Sequence, residues 1–110
     1  MKTLIALALV LPALAQGAAD TGAVEMTTLV CEAVYLPART TWTRRVEIGH
    51  DRQRVRSVVI DGVSVYTFAI RQTAILTSVD NERIQIDTAA QTWTSDFRGV
   101  ASAQGRCLRG

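Results

Sequence analysis

Hydrophobic and polar residues alternate along most of the chain after residue 26, which is the pattern of half-buried β-strands. In residues 41–48, for example, Trp42, Val46 and Ile48 fall on one face and share it with Arg44. Valine, isoleucine, threonine and aromatic residues dominate, and these types favour strands. No segment beyond the N-terminal region repeats its hydrophobic residues with a helical period. The pattern therefore predicts an all-β domain.

Turn-forming residues divide this region into short predicted strands. The predicted strands are residues 28–35, 41–48, 54–60, 63–70, 73–79, 83–87 and 91–97. Asp61-Gly62 is the strongest turn signal, because Asp-Gly supplies the positive φ angles of a type I′ hairpin. We therefore expect residues 63–70 to return antiparallel to the preceding strand. About seven or eight such strands predict a small antiparallel meander that closes into a barrel or folds into a sandwich.

The N-terminus has the three parts of a cleavable signal peptide. Lys2 provides the positive charge, and residues 3–14 form an apolar stretch that small residues follow. Cleavage after Ala15 and cleavage after Ala19 both fit the small-x-small rule. The apolar run is shorter than the roughly 20 residues of a spanning helix. We therefore predict a signal peptide over residues 1–19 and a periplasmic or secreted mature protein without a membrane anchor.

The mature chain is predicted to be one small, nearly neutral domain. Residues 20–26 are expected to form a flexible lead-in, and residues 27–110 a single β domain. Cleavage before Asp20 would remove Lys2, the only lysine, and leave eleven arginines against ten acidic residues. The arginines are scattered among the acids, whereas phosphate binding needs a basic face. Nucleic acid is therefore excluded as the main partner.

Cys31 and Cys107 are the only two cysteines, one near each end of the mature chain. In an oxidising compartment such a pair predicts a disulfide. The chain-entropy description assigns so long a loop about 4.5 kcal/mol of stabilisation. Redox chemistry would need the C-x-x-C spacing, which is absent, and a metal site would need more ligands than the single histidine, His50, supplies.

No motif in the chain matches a catalytic or metal-binding signature. His50 and Asp51 could form an acid–base pair, but Gly49-His50-Asp51 is better interpreted as a polar turn. Asp80, Glu82 and Asp87 do not have the spacing of a calcium loop. We therefore predict no catalytic residue, no metal site and no cofactor.

The aromatic residues are the next candidates for function. By strand alternation Trp42 and Trp93 lie on the apolar faces of their strands, which predicts that both belong to the core. If either were exposed, it would become a candidate anchor for a protein interface. Tyr66, beyond the Asp-Gly turn, is a further candidate.

The C-terminal part resembles that of small exported bacterial β proteins. The segments concerned are Ile84-Gln85-Ile86-Asp87, Trp93-Thr94-Ser95-Asp96-Phe97-Arg98-Gly99 and Gly105-Arg106-Cys107, with an early cysteine in the first strand. Among characterised families this plan is similar to the periplasmic C-type lysozyme inhibitors, which are eight-stranded barrels with a disulfide. The resemblance implies an antiparallel barrel that presents loops to a protein partner. Residues 99–102 and 61–66 match only part of the inhibitors' Ser-Gly-x-x-Tyr loop.

These observations favour a non-catalytic exported protein that binds another envelope or extracellular protein, with lysozyme inhibition as the most specific form. The candidate binding residues are Trp42, Tyr66, Trp93, Arg98 and Ser102. A small-ligand or lipid carrier and a small enzyme are the alternatives. An exposed tryptophan with an apolar rim would favour protein binding, and an internal apolar cavity would favour a carrier. A buried His50 paired with a carboxylate would favour catalysis. The sequence leaves the partner's identity and the oligomeric state open.

Overall fold

The structure, a computed structural model, describes residues 23–110, and this part of the chain consists of antiparallel strands and turns. The strands are β1 (Glu25–Leu36), β2 (Thr40–His50), β3 (Val55–Ile60), β4 (Val63–Val65), β5 (Phe68–Arg71), β6 (Ala74–Val79), β7 (Glu82–Asp87), β8 (Thr92–Phe97) and β9 (Ala101–Arg109). The predicted signal peptide, residues 1–19, and residues 20–22 of the lead-in lie outside the described residues. Within the described part, no helix has the length and apolar character needed to cross a membrane.

All nine strands belong to one sheet, in the order β4-β3-β2-β1-β9-β8-β7-β6-β5. The sheet curls until its two edges approach each other, so the structure confirms the predicted all-β antiparallel fold. Of the two predicted forms it adopts the barrel, nearly closed and with nine strands. Two meanders, β1–β4 and β5–β9, meet where the first and last strands pair. The C-terminal segment, for which no strand was predicted, forms β9 and completes that junction.

The segment between residues 63 and 70 corrects one expectation. Asp61 and Gly62 have φ angles of 51° and 83°, and they form the predicted hairpin turn. Only Val63–Val65 then return along β3, however, because the chain changes neighbours at residues 66–67. Phe68–Arg71 continue in the same direction but pair with β6. The predicted fourth strand is therefore divided between the two edges of the sheet.

The barrel interior is filled by the inward side chains of the strands. Its largest fully buried side chains belong to Trp93, Ile60, Ile75, Ile86, Val46, Val58, Cys31 and Cys107. Trp93 lies opposite Gly105 on the neighbouring strand. A β-carbon on Gly105 would come within 1.7 Å of the Glu32 carbonyl oxygen, so only glycine fits where β9 passes β1 this closely.

The Cys31–Cys107 disulfide is confirmed, with an S–S distance of 2.03 Å and a sequence separation of 76. The cysteines are direct partners in the pairing of β1 with β9. The bond therefore joins the two meanders at the centre of the sheet, inside the core.

Candidate functional site

Every second turn of an antiparallel barrel lies at the same end, and we call one of the two ends the Trp42 end. Its turns are residues 37–39, 61–62, 80–81 and 98–100. The candidate site combines a buried polar network just inside this end with exposed apolar side chains around it.

Arg44 is the centre of the network. Strand alternation places it on the inner face of β2, and only 8% of the residue is exposed. Its Nε donates to Asp61 Oδ2 at 2.6 Å, and its Nη1 donates to Glu82 Oε1 at 3.0 Å. Its guanidinium also lies over the ring of Trp93, 4.7 Å from the centroid. The arginine therefore joins β2 to the β3–β4 turn and, across the barrel, to β7 and β8.

Glu82 receives hydrogen bonds from several parts of the barrel. Ser95 Oγ donates to Glu82 Oε2 at 2.7 Å, and the Tyr35 hydroxyl donates to the same oxygen at 2.5 Å. The Arg44 guanidinium donates to the Tyr35 hydroxyl. Trp93 Nε1 donates to Ser95 Oγ at 3.1 Å, so the indole of the core is linked to the same carboxylate. Each polar side chain drawn into the barrel here has a partner, as buried polar groups require.

Hydrogen bonds keep Arg44 ionised, and burial keeps Tyr35 neutral. Burial alone would lower the pKa of the Arg44 guanidinium, but its hydrogen bonds to Asp61 and Glu82 outweigh this effect and raise the pKa above its ordinary value. Burial, and then the hydrogen bond to Glu82, raise the pKa of the Tyr35 phenol. The phenol therefore remains a hydrogen-bond donor at neutral pH.

Trp42 does not lie in the core, so the prediction for this residue is wrong. It points to the inner face as alternation predicted, yet 58% of it is exposed. The reason is that the pairing of β2 with β3 begins only at Val46 and Ile60. Beyond that point the β1–β2 hairpin projects, and within residues 23–110 no third strand pairs with β2 beside Trp42. Trp93, by contrast, is fully buried as predicted.

Trp42 is nevertheless held in place by the network. Its ring centroid lies 5.4 Å from that of Tyr35, with the two planes tilted by 49°. Such a tilted arrangement is favourable for aromatic pairs. Because the Tyr35 hydroxyl is bonded to Glu82 and Arg44, the exposed indole rests on a fixed support.

Four further exposed apolar residues lie in the turns of the Trp42 end or beside them. They are Leu36, Val63, Phe97 and Val100, between 38% and 69% exposed. Ser102, also exposed, lies opposite Leu36 and lines a cleft of about 350 Å³ with Leu36 and Val100. We call the four apolar residues Leu36, Val63, Phe97 and Val100, together with Trp42, the apolar rim. Isolated exposed apolar residues are ordinary, but five at one end of a small barrel make that end a candidate interaction surface.

The structure brings only some of the predicted binding residues to this end. Trp42, Ser102 and Arg98 are there, with Arg98 in the β8–β9 turn at a φ of 54°. Tyr66 is 93% exposed but lies where the chain passes from β4 to β5, away from the Trp42 end. Trp93 supports the site from inside and cannot touch a partner directly.

His50 also differs from the expectation of a turn, because β2 continues through it with a bulge at Gly49 and His50. Its Nε2 lies 2.8 Å from the Thr27 hydroxyl oxygen. Asp51 instead accepts hydrogen bonds from Arg56 and from backbone amides. Its pKa is lowered to about 2, first by the backbone hydrogen bond from Arg54 and then by the side chain of Arg56.

Sequence reasoning did not identify Tyr35, Arg44 and Glu82 as a functional unit. One signal was available: Arg44 interrupts an otherwise apolar strand face, which implies a buried partner of opposite charge. Glu82 falls between the predicted strands 73–79 and 83–87, and only the long-range pairing of the strands brings it to Arg44.

Among residues 23–110, no three histidine, cysteine or acidic residues are grouped in a way that could hold a metal ion. In comparisons with known proteins, no family model, no characterised protein and no solved structure matches this chain.

Proposed function

We propose that the protein is exported and acts as a non-catalytic binding protein, using its Trp42 end to engage another protein of the envelope or the extracellular medium. One observation carries the proposal: Trp42 is 58% exposed and rests on a tyrosine that the buried network holds. Tryptophan is among the residues that most often dominate interface energetics.

The support beneath Trp42 makes it suitable as an anchor. A flexible side chain loses conformational entropy on binding, about 0.5–1.5 kcal/mol for each residue that becomes fixed. Here Tyr35 already restricts the indole, and Glu82 and Arg44 restrict Tyr35 in turn. Most of that ordering is therefore complete before a partner arrives.

The composition of the Trp42 end also favours a protein partner. The exposed charges of the Trp42 end are balanced, because its turns carry two arginines and two aspartates. These are Arg39, Asp61, Asp80 and Arg98. A mixture of apolar residues with balanced polar ones is typical of non-obligate protein interfaces. The alternative of a small-ligand carrier is less well supported, because the barrel interior is filled by the protein's own side chains.

Inhibition of a lysozyme is the most specific form of the proposal. It rests on the resemblance in the C-terminal segment and on the position of residues 98–102 at the Trp42 end. Leu36, Val100 and Ser102 line the neighbouring cleft. A loop that enters an enzyme cleft would have to come from this turn or from residues 61–63.

In the first experiment, the oxidised protein serves as the bait in an affinity capture of partners from envelope extract. C-type lysozymes are added to the extract as candidate partners. We expect one dominant partner, which untagged protein displaces. Trp42→Ala should weaken its binding roughly thirtyfold, the effect of losing about 2 kcal/mol. Tyr66→Ala is the matched control, because it removes a more exposed aromatic side chain away from the apolar rim.

Each result has a defined meaning. Loss of the partner with Trp42→Ala but not with Tyr66→Ala supports the proposal. Equal loss with both variants, or no partner at high bait concentration, would exclude the Trp42 end as a protein-binding surface. Unchanged lysozyme activity in the presence of excess protein would remove the inhibitor form while leaving the general proposal intact.

A further inference from the structure

The nearly closed barrel has an opening on the side where the chain passes from β4 to β5. β4 pairs with only the last three residues of β3, so Val55–Ser57 have no partner on that side within residues 23–110. β5 pairs with β6 and, in the same part of the chain, with no other strand. We call residues 55–57 together with residues 68–71 the β3/β5 seam. An unpaired strand edge of this kind is a template for another strand.

The turn geometry shows which backbone groups of β5 face the seam. Residues 72–73 form a two-residue loop, and Arg71 and Ala74 flank it as direct partners. In such a hairpin the flanking pair exchanges hydrogen bonds. Along the strand, the N–H and C=O groups of successive residues then point alternately towards the partner strand and away from it. Arg71 and Ala69 therefore bond to β6, whereas the N–H and C=O groups of Phe68 and Ile70 point into the seam. Within residues 23–110 the β5 edge thus offers two sets of backbone donors and acceptors that no neighbouring strand uses.

The side chains at the seam give it an apolar floor. Ile70 lies opposite Ile75, which is buried in the core, and so it faces the inner side of the barrel. It is nevertheless 48% exposed, because no strand of the described residues, 23–110, pairs with β5 on the side of β3. Phe68, on the same face, is only partly buried and packs against the core. Inward side chains of an added strand would cover both residues.

The charges at the seam are positive. Arg54, Arg56 and Arg71 are all exposed on or beside its two strands. Asp51 forms an ion pair with Arg56, with its Oδ2 2.6 Å from Arg56 Nε. Within residues 23–110, Arg54 and Arg71 take part in no ion pair. A second copy of this chain would bring the same arginines together and is disfavoured, whereas an acidic segment would neutralise them.

We propose that the β3/β5 seam binds an extended, acidic segment of a partner protein, which adds to the edge of β5 as a further strand. Backbone hydrogen bonds to Phe68 and Ile70 would hold it. Apolar residues alternating with acidic ones would match the apolar floor and the exposed arginines. This surface is separate from the Trp42 end, so the inference goes beyond the proposed function and stands or falls independently of it.

The test uses the oxidised protein and a short synthetic peptide of alternating valine and glutamate, with a valine–lysine peptide of equal length as the charge control. Binding is measured by calorimetry, and backbone amide exchange is followed by NMR. We expect the glutamate peptide alone to bind, with an affinity that falls as salt is added. The amides of Phe68 and Ile70 should gain protection from exchange.

Two kinds of variant separate charge from backbone pairing. Changing Arg54 and Arg71 together to glutamate should weaken peptide binding roughly tenfold. Arg39→Glu makes the same change of charge per site at the Trp42 end, and it should leave the peptide affinity unchanged. Ile70→Pro removes an N–H that faces the seam and not one that bonds β6, so the fold should persist while binding is lost.

Several outcomes would overturn the inference. They are equal binding of the lysine peptide, binding unaffected by Ile70→Pro in a folded variant, and no binding at millimolar peptide. Sedimentation could instead show a dimer of this protein that becomes a monomer in Ile70→Pro. That result would mean that the seam pairs two copies of this chain. Loss of peptide binding in Trp42→Ala would place the peptide at the other surface and would equally refute it.

Discussion

The Arg44–Glu82 pair should contribute a large part of the stability of this barrel, and Glu82→Ala is the perturbation that shows it. Both side chains are only 10% exposed, and they lie 3.0 Å apart. Removing the carboxylate leaves Arg44 with Asp61 as its remaining anionic partner, and Asp61 is itself 40% exposed. It also deprives the hydroxyls of Tyr35 and Ser95 of their acceptor.

The expected cost follows from these contacts. Removing one partner of a buried ion pair costs about 3–5 kcal/mol, because the other charge stays buried with weaker compensation, here that of the partly exposed Asp61. The total stability of a domain of this size is about 5–15 kcal/mol. Since 1 kcal/mol corresponds to about 4–8 °C in a domain of this length, Glu82→Ala should lower the melting temperature by roughly 12–40 °C. Glu82→Gln keeps an acceptor for the hydroxyls and should cost less.

The assay is urea unfolding of the oxidised protein, followed by tryptophan fluorescence and far-ultraviolet circular dichroism. Arg83→Ala is the matched control, because the neighbouring residue has a side chain 80% exposed and an ion pair at 3.6 Å with Asp96. Its expected cost is below about 1 kcal/mol. A loss below about 1 kcal/mol for Glu82→Ala would refute the reasoning. If that variant does not fold, Glu82→Gln must still cost more than Arg83→Ala.

Three further predictions concern single features of the fold. Reduction of Cys31–Cys107 should lower the melting temperature by about 10 °C or more, and an unchanged value would remove its stabilising role. Gly105→Ala should destabilise the barrel by about 1–3 kcal/mol or more in urea unfolding, because the new β-carbon would meet the Glu32 carbonyl oxygen. An unchanged free energy of unfolding would contradict the close approach of β9 to β1. Asp51 has a folded pKa of about 2 against an ordinary 3.8, so the stability it contributes is present above pH 3.8 and is lost as the pH falls towards 2. Asp51→Asn should therefore flatten the fall in melting temperature over that range, and an identical acid profile would count against the Asp51 hydrogen bonds.

Much of the fold followed from local features of the sequence. The Asp61-Gly62 turn and the disulfide depend on nearest neighbours or on the only available pairing. Strand alternation also assigned Trp93 correctly to the interior. These predictions succeeded because a two-residue period and a two-residue turn leave few alternatives.

What alternation could not supply was the length of the neighbouring strands. Trp42 has the same parity as Val46, yet only Val46 is covered, because β3 ends opposite it at Ile60. The division of residues 63–70 between β3 and β6 is likewise decided by barrel closure and not by any local signal. The two candidate surfaces arise at these two places, where long-range pairing stops.

The pairing of Arg44 with Glu82 was beyond reach for the same reason. The two residues are 38 positions apart and lie on strands that are not neighbours in the sheet. An arginine on an apolar face indicates that a partner exists, but only the curvature of the barrel selects which carboxylate it is.

The most direct test of the central claim is the hydrogen-exchange footprint of the complex between this protein and its captured partner. If the Trp42 end binds the partner, protection should concentrate in the turns at residues 37–39, 61–62 and 98–100 and in the β1–β2 hairpin. Protection confined to the opposite end of the barrel, or spread evenly over the strands, would contradict the claim that Trp42 anchors the interface.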